Sequence, residues 1–260
     1  MNREVPPYLV RRIRQEPPLR CIIEGSTPII AFGDPWTSHA ATLGLNPGRV
    51  AFLDKDGRML DGDHRRHPTL ASLGIARLSG AKVSHVRRIV DDCATYFHRI
   101  QDIRRLRWFR ELQPLLEAVG VSYAGGTACH LDLVQWATDP VWGELSAADK
   151  ALLLERDVPF LMELLREGSI RILLLNGTSV VRQARKSLDI SLKEHASLND
   201  GDYQPCRLFT GWLFGRIRVI GWSTNIQSSF GVTKERRQAL AQRIREQVTA
   251  TKFGEAGALG

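Results

Sequence analysis

An apolar run ends in a tight turn at Leu43-Gly44-Leu45-Asn46-Pro47-Gly48, and this turn carries a single amide side chain. The run itself, residues 40–43, is typical of a short buried strand, and Pro47 and Gly48 are strong turn residues. Asn46 is therefore predicted at the end of a strand. Ligands of open α/β sheets bind at the carboxyl ends of the strands, so the turn is a candidate site. An ordinary strand-to-loop turn uses the same residue types.

The composition is that of a protein able to bury a full core. The chain has 260 residues, 43% of them hydrophobic, which fits one large α/β domain. No apolar run reaches the roughly 18 residues of a membrane helix, and residues 1–7 lack the apolar core of a signal peptide. We expect a cytoplasmic protein with no membrane partner. Its expected organisation is an N-terminal arm or short leading helix (1–28), a single α/β domain (29–250) and a disordered tail (251–260).

Charge and cysteine spacing restrict the partners. Lys and Arg outnumber Asp and Glu by 36 to 28, giving a net charge of +8 that favours a polyanion such as nucleic acid. The arginines are scattered, so they form either solvated helix faces or, if clustered by the fold, a phosphate-binding track. The cysteines at positions 21, 93, 129 and 206 form no short ligand pair, and we expect no metal and no cofactor.

Hydrophobic periodicity predicts alternating strands and helices. Strands are predicted at residues 40–43, 128–134 and 170–177, with a hairpin of 208–214 and 217–220 around Gly215 and strand-like pieces at 21–24 and 29–32. Helices are predicted at 81–96, 103–120, 146–156, 159–167, 179–188 and 233–248. Strand 170–177 is so continuously apolar that we expect it at the centre of a parallel sheet.

Three further stretches carry candidate site residues. The polar loop 49–68 is long enough to be functional, and its Phe52 is either a base-stacking platform or an anchor on the core. His130 and Asp132 lie two residues apart in a predicted strand and so share a face, where they either project into a crevice or are satisfied structurally. A second polar loop, residues 221–231, follows the last predicted strand.

The stretch Gly44-Leu45-Asn46-Pro47-Gly48 resembles the first motif, Gly-x-Asn-Pro-Gly, of the mismatch-specific and single-strand-selective branches of the uracil-DNA glycosylase superfamily. The order of strands, loops and helices from residue 29 to 248 is similar to that family as well. The resemblance implies a three-layer α-β-α sandwich around a mostly parallel sheet of about four strands.

The resemblance also implies an activity. A monofunctional, metal-independent glycosylase of DNA repair would hydrolyse the N-glycosidic bond of a uracil flipped out of single- or double-stranded DNA, acting as a monomer. By likeness Asn46 positions the attacking water, Asp132 or else His130 reads the uracil edge, and Phe52 stacks on the base. The motif neighbours Gly44, Leu45, Pro47 and Gly48 would line the base.

The second motif departs from the family pattern. Family members have His-Pro-Ser or Asn-Pro-Ser there, whereas this chain has residues 222–229 without that proline. Ser223, Asn225 and Ser228 are the donors available for the departing base. Two other interpretations stay open: a catalytically silent nucleic-acid-binding relative, and a nucleoside or nucleotide N-glycosidase of the same fold.

Overall fold

The computed structural model describes residues 4–99, 106–198, 205–227 and 232–256. Contacts group the chain into two compact units. The first unit consists of residues 1–34, 44–96 and 131–167, and the second of residues 35–43, 97–130 and 168–260.

A six-stranded mixed sheet forms the β-structure. Its strands are β1 (Ala40–Gly44), β2 (Ala128–Asp132), β3 (Ile172–Asn176), β4 (Lys193–Leu198), β5 (Cys206–Leu213) and β6 (Ile217–Trp222). They are arranged in the order β2-β1-β3-β6-β5-β4. Strand β3 pairs in parallel with β1 and with β6, while β5 pairs antiparallel with β6 and β4. The α/β class, the central position of β3 and the hairpin at Gly215 are confirmed, and the sheet has six strands instead of about four.

Strand β4 lies in a stretch where the sequence predicts neither a strand nor a helix. Its residues are exposed or half-buried, so they lack the apolar alternation that marks a strand. Pairing with β5 supplies the backbone hydrogen bonds that hold β4 extended. The interaction that makes it a strand is therefore tertiary.

The helices of the described residues are α1 (Pro7–Ile13), α2 (Leu70–Leu73), α3 (Val83–Ala94), α4 (Tyr96–Arg99), α5 (Arg107–Arg110), α6 (Gln113–Glu117), α7 (Ala147–Glu167), α8 (Thr178–Ser187) and α9 (Lys234–Ala256). The starts of two predicted helices are confirmed by N-caps, since Ser146 Oγ accepts from Asp149 N at 3.0 Å and Thr233 Oγ1 accepts from Arg236 N at 3.1 Å. Of the segment predicted at 103–120, residues 103–105 lie outside the described residues.

In the first unit, α1 packs against α3 and α7. The predicted arm thus begins with a short helix that buries Leu9 and Ile13. Residues 21–24 and 29–32 were expected to be strand-like, but they make only isolated pairings, such as the bridge of Ile22 with Thr138. Gly25 and Pro28 interrupt the stretch, and proline cannot donate to a sheet.

Two helix boundaries differ from the sequence prediction. A new helix was expected at Pro159, but α7 continues through that proline as one helix. Its buried face includes Leu153, Phe160 and Leu164 on both sides of Pro159, and burial of that face offsets the lost hydrogen bond. At the other end of the chain, α9 runs to Ala256, into the segment expected to be a disordered tail.

One arginine of α9 is buried, since Arg236 is 3% exposed. No helix within the described ranges has the length and hydropathy needed to cross a membrane.

Candidate functional site

Asn46 lies in the turn directly after β1, and its amide has a fixed orientation. The Nδ2 group donates to the backbone oxygen of Trp136 at 3.2 Å and to Oγ1 of Thr138 at 3.1 Å. A backbone oxygen only accepts, so the atom facing it must be the nitrogen. Oδ1 has no hydrogen-bond partner among the residues that the structure describes, and Asn46 is half-buried. The side chain therefore presents one oriented acceptor.

The loop that holds Asn46 is itself held by a buried polar network in the first unit. Gln135 donates from its backbone N to Asp157 Oδ2 at 2.8 Å and accepts from Arg12 Nε at 3.2 Å. Arg12 also pairs with Asp157 at 2.9 Å, with both side chains 1% exposed. Burial raises the pKa of Asp157, while the charge of Arg12 and the hydrogen bonds from Gln135 and Arg12 oppose that rise. The loop that carries Trp136 and Thr138 is thus held in place by the hydrogen bonds of Gln135 to Asp157 and Arg12.

Two further interactions fix the same loop. The guanidinium of Arg12 lies 5.0 Å from the centroid of the Trp136 ring, a cation–π distance. At the loop's end, Asp139 pairs with Arg49, which follows the Asn-Pro-Gly motif, at 3.3 Å. Arg49 therefore links the chain just after Asn46 to this loop.

Phe52 is packed in an aromatic cluster of the first unit. Its side chain is 1% exposed and its ring centroid lies 5.8 Å from that of His67. His67 stacks on Tyr96 at 5.1 Å, and its Nδ1 lies 3.5 Å from Oδ2 of Asp92. This packing is the arrangement expected of an anchor for loop 49–68, and base stacking by Phe52 stays a prediction. Sequence reasoning missed His67, because its partners come from distant parts of the chain.

The polar residues of β2 are both buried. His130, in the second unit, lies with Nδ1 2.7 Å from Thr42 Oγ1, and the same hydroxyl contacts Tyr123 OH. The ring of Phe109 meets the His130 ring edge to face at 5.4 Å. Asp132, in the first unit, accepts at its backbone oxygen from Gln135 Nε2 at 2.9 Å. His130 is thus buried and hydrogen-bonded within the protein, which is the arrangement expected if its role is structural.

The loop after β6 is organised by Asn176, the last residue of β3. Asn176 Oδ1 accepts from Trp222 Nε1 at 2.8 Å and from the backbone N of Ile226 at 3.1 Å. Its Nδ2 donates to Asn225 Oδ1 at 2.8 Å and to Gln227 Oε1 at 2.7 Å. All four hydrogen-bonding positions of this amide are thereby used. The only sequence signal for this role is an amide at the end of an otherwise apolar strand.

Asn225 is exposed and its amide orientation follows from Asn176. Its Oδ1 accepts from Asn176 and also from the backbone N of Gln227 at 3.1 Å, so the amide is oriented with Nδ2 away from these two donors. Nδ2 has no partner in the described part of the chain. A donor is therefore held in place in the second predicted motif.

Ser223 is tied to the neighbouring strand. Its Oγ accepts from the backbone N of Arg207 at 2.9 Å, which leaves its hydroxyl hydrogen available for donation. Ser228 lies outside the described residues.

The predicted site residues are divided between the two units. Gly44, Leu45, Asn46, Pro47, Gly48, Phe52 and Asp132 belong to the first, whereas His130, Ser223 and Asn225 belong to the second. Among the described residues, no three His, Cys, Asp or Glu side chains are grouped as a metal site requires.

A cavity of about 530 Å³ lies between α6 and α9 in the second unit. Its lining includes Lys234, Arg237 and Arg245. Arg237 pairs with Glu111 at 2.9 Å, and Arg245 Nε donates to the backbone oxygen of Ala118 at 3.1 Å. These two contacts hold α9 against residues that flank α6. The cavity is therefore better explained by helix packing than by anion binding.

These features define an α/β protein with a six-stranded mixed sheet flanked by helices and an oriented amide at the end of β1. No protein-family model matches the chain, and comparison with curated proteins gives no match either.

Proposed function

We propose that this protein is a uracil-DNA glycosylase, hydrolysing the N-glycosidic bond of a uracil flipped out of DNA without metal or cofactor. The proposal rests above all on Asn46, whose two Nδ2 hydrogen bonds leave Oδ1 as an oriented acceptor at the end of β1. The resemblance of residues 44–48 to a glycosylase motif supports the same role.

The reaction makes a modest demand on the acceptor. As the base leaves, the sugar becomes an oxocarbenium-like electrophile, which a weakly activated water can capture. Asn46 Oδ1 accepts a hydrogen bond from that water and so orients its lone pair toward the sugar. An amide is a poor proton acceptor, so its contribution is orientation; the proton that the water loses on bonding to the sugar passes to solvent, and the uracil anion takes up a proton on release.

The larger demand is stabilisation of the departing uracil anion. Preorganised donors supply it best, because they need no rearrangement as the charge develops. Asn225 offers its Nδ2 for this purpose, and Ser223 can add its hydroxyl hydrogen. Asn225 thereby takes the role that the family's second motif gives to His or Asn, although the motif's proline is missing.

The net charge of +8 favours a DNA substrate over a free nucleoside. As a base excision repair enzyme the protein would act in the cytoplasm as a monomer. The two remaining interpretations, a silent nucleic-acid-binding relative and a nucleotide N-glycosidase, become outcomes of the test.

The test uses single- and double-stranded oligonucleotides that contain one uracil. We expect alkali-labile abasic sites, and we expect Asn46→Ala to lower the single-turnover rate about 10²-fold or more while leaving DNA binding within a few-fold. Salt-sensitive binding with no abasic product would identify the silent relative. Cleavage of deoxyuridine or its monophosphate, with intact oligonucleotides, would identify the nucleotide enzyme.

A further inference from the structure

One face of the β4–β5–β6 part of the sheet carries a cluster of cations around an exposed tryptophan. Strand pairing places Trp212 opposite Arg218, and Lys193 opposite Thr210 on the same face. His195 lies two residues after Lys193 and therefore shares that face. We call this cluster the Trp212 face and define it by Lys193, His195, Trp212, Arg218 and Arg243, the last contributed by α9, which packs against β6.

The charges of Lys193, Arg218 and Arg243 all act on His195. The pKa of His195 is lowered by partial burial first and then by the charges of Lys193, Arg218 and Arg243. Nε2 of His195 lies 2.6 Å from Thr210 Oγ1. Glu246 offsets part of this charge, since its carboxylate lies 3.4 Å from Arg243. The Trp212 face keeps an excess of positive charge.

Trp212 supplies an aromatic surface within this field. It is 40% exposed. The guanidinium of Arg218 lies 5.3 Å from its ring centroid, and Arg218 Nη2 donates to Gln247 Oε1 at 3.3 Å. The indole is thus supported by a fixed cation while much of its surface remains open to solvent.

We propose that the Trp212 face binds a single-stranded segment of nucleic acid, with one base stacked on Trp212 and adjacent phosphates at Lys193 and Arg243. Stacking on an aromatic side chain accepts any base, and cations beside it track the backbone. A duplex fits poorly, because its bases are already stacked and their faces are not accessible.

The Trp212 face is separate from the loop that carries Asn225. Arg218 precedes Trp222 by four positions in β6, a separation of about 13 Å along an extended strand. The proposed binding does not depend on glycosylase activity, since neither Asn46 nor Asn225 belongs to it. For a glycosylase it would hold the strand at a second point beside the base being removed.

The test measures anisotropy of a fluorescein-labelled, uracil-free oligothymidylate of 20 nucleotides with the full-length protein. We expect Trp212→Ala to weaken binding about tenfold and Trp212→Phe to retain most of it, because a ring remains for stacking. The double variant Lys193→Gln/Arg243→Gln should reduce the slope of log affinity against log salt by about 1.4, which is about 0.7 for each phosphate that the protein no longer neutralises.

The control is Arg207→Gln. Arg207 is an exposed cation on the opposite face of β5, 5.7 Å from the ring of Phe209, so its loss removes the same kind of charge outside the proposed surface. Thermal melts of every variant exclude unfolding as the cause. Unchanged affinity in Trp212→Ala would overturn the proposal, as would a fall of about 0.7 in the salt slope of Arg207→Gln, which is the share expected for each lost phosphate contact. A roughly tenfold loss of binding to heparin, a polyanion without bases, in Trp212→Ala would also overturn it. Excision of uracil is assayed separately, so failure of either proposal leaves the other testable.

Discussion

Asn176 Nδ2 donates to Asn225 Oδ1 at 2.8 Å and, together with the backbone N of Gln227 at 3.1 Å, fixes the orientation of the Asn225 amide. The donor proposed for the leaving base therefore depends on a residue at the end of a different strand. Asn176 is buried, while Asn225 is exposed.

The first prediction concerns Asn176→Asp. A carboxylate still accepts from Trp222 Nε1 and Ile226 N, but it cannot donate to Asn225. Repulsion between the new carboxylate and Asn225 Oδ1 is then expected to turn the amide so that its Nδ2 faces residue 176, at the cost of the hydrogen bond from Gln227 N, leaving an acceptor where a donor stood. Uracil excision should fall about 10²-fold with the fold retained, as judged by circular dichroism. Asn176→Ala is the contrast, because it leaves two buried donors without an acceptor and should cost about 3 kcal/mol of unfolding free energy.

The second prediction concerns the buried ion pair of the first unit. Asp157→Asn leaves the Arg12 charge buried and uncompensated, so we expect a loss of about 3–5 kcal/mol in the free energy of unfolding. The matched control is Glu163→Gln, which breaks the exposed pair with Arg11 and should cost less than about 1 kcal/mol. Urea denaturation of both variants measures the difference. Equal losses of unfolding free energy in Asp157→Asn and Glu163→Gln would contradict the stabilising role assigned to the buried pair of Arg12 and Asp157.

The third prediction concerns His195. Its pKa is lowered in the folded state, so the unfolded chain binds the proton more readily. Stability is therefore lost as the pH falls below the ordinary histidine value of about 6.5, toward the lower folded pKa. Replacing the imidazole in His195→Gln should make the free energy of unfolding less dependent on pH below about 6.5. NMR titration of the ring should give a pKa below that of the unfolded chain, and bound oligothymidylate should raise it; a value at or above about 6.5 in the free protein would refute the prediction.

The fourth prediction concerns Gly177, between β3 and α8. Its φ is +89°, and a Cβ there would lie 3.2 Å from the Cβ of Asn225. Gly177→Asn should therefore shift the Asn225 loop and reduce uracil excision, besides costing about 1–3 kcal/mol of stability. Gly215→Asn is the control, because Gly215 has φ +67° and open space around it, and asparagine tolerates that conformation. Equal activity of the two variants would show that the close approach to Asn225 has no role.

The sequence by itself determined the strands, turns and helices that depend on residues close together in the chain. The apolar run of β3, the turn at Gly215, the N-caps Ser146 and Thr233 and the amphipathic α3 all follow from short-range periodicity or hydrogen bonding. The sequence also marked Asn46 as a polar residue at a strand end, because the turn residues after it are local signals.

Only the tertiary structure decided the rest. Strand β4 exists because β5 pairs with it, and α7 continues through Pro159 because its apolar face is buried on both sides. The orientations of the Asn46 and Asn225 amides depend on partners at Trp136 and Asn176, 90 and 49 positions away in the chain. A sequence shows that an amide is present, but its orientation is set by hydrogen bonds between distant segments, which form only when the chain has folded.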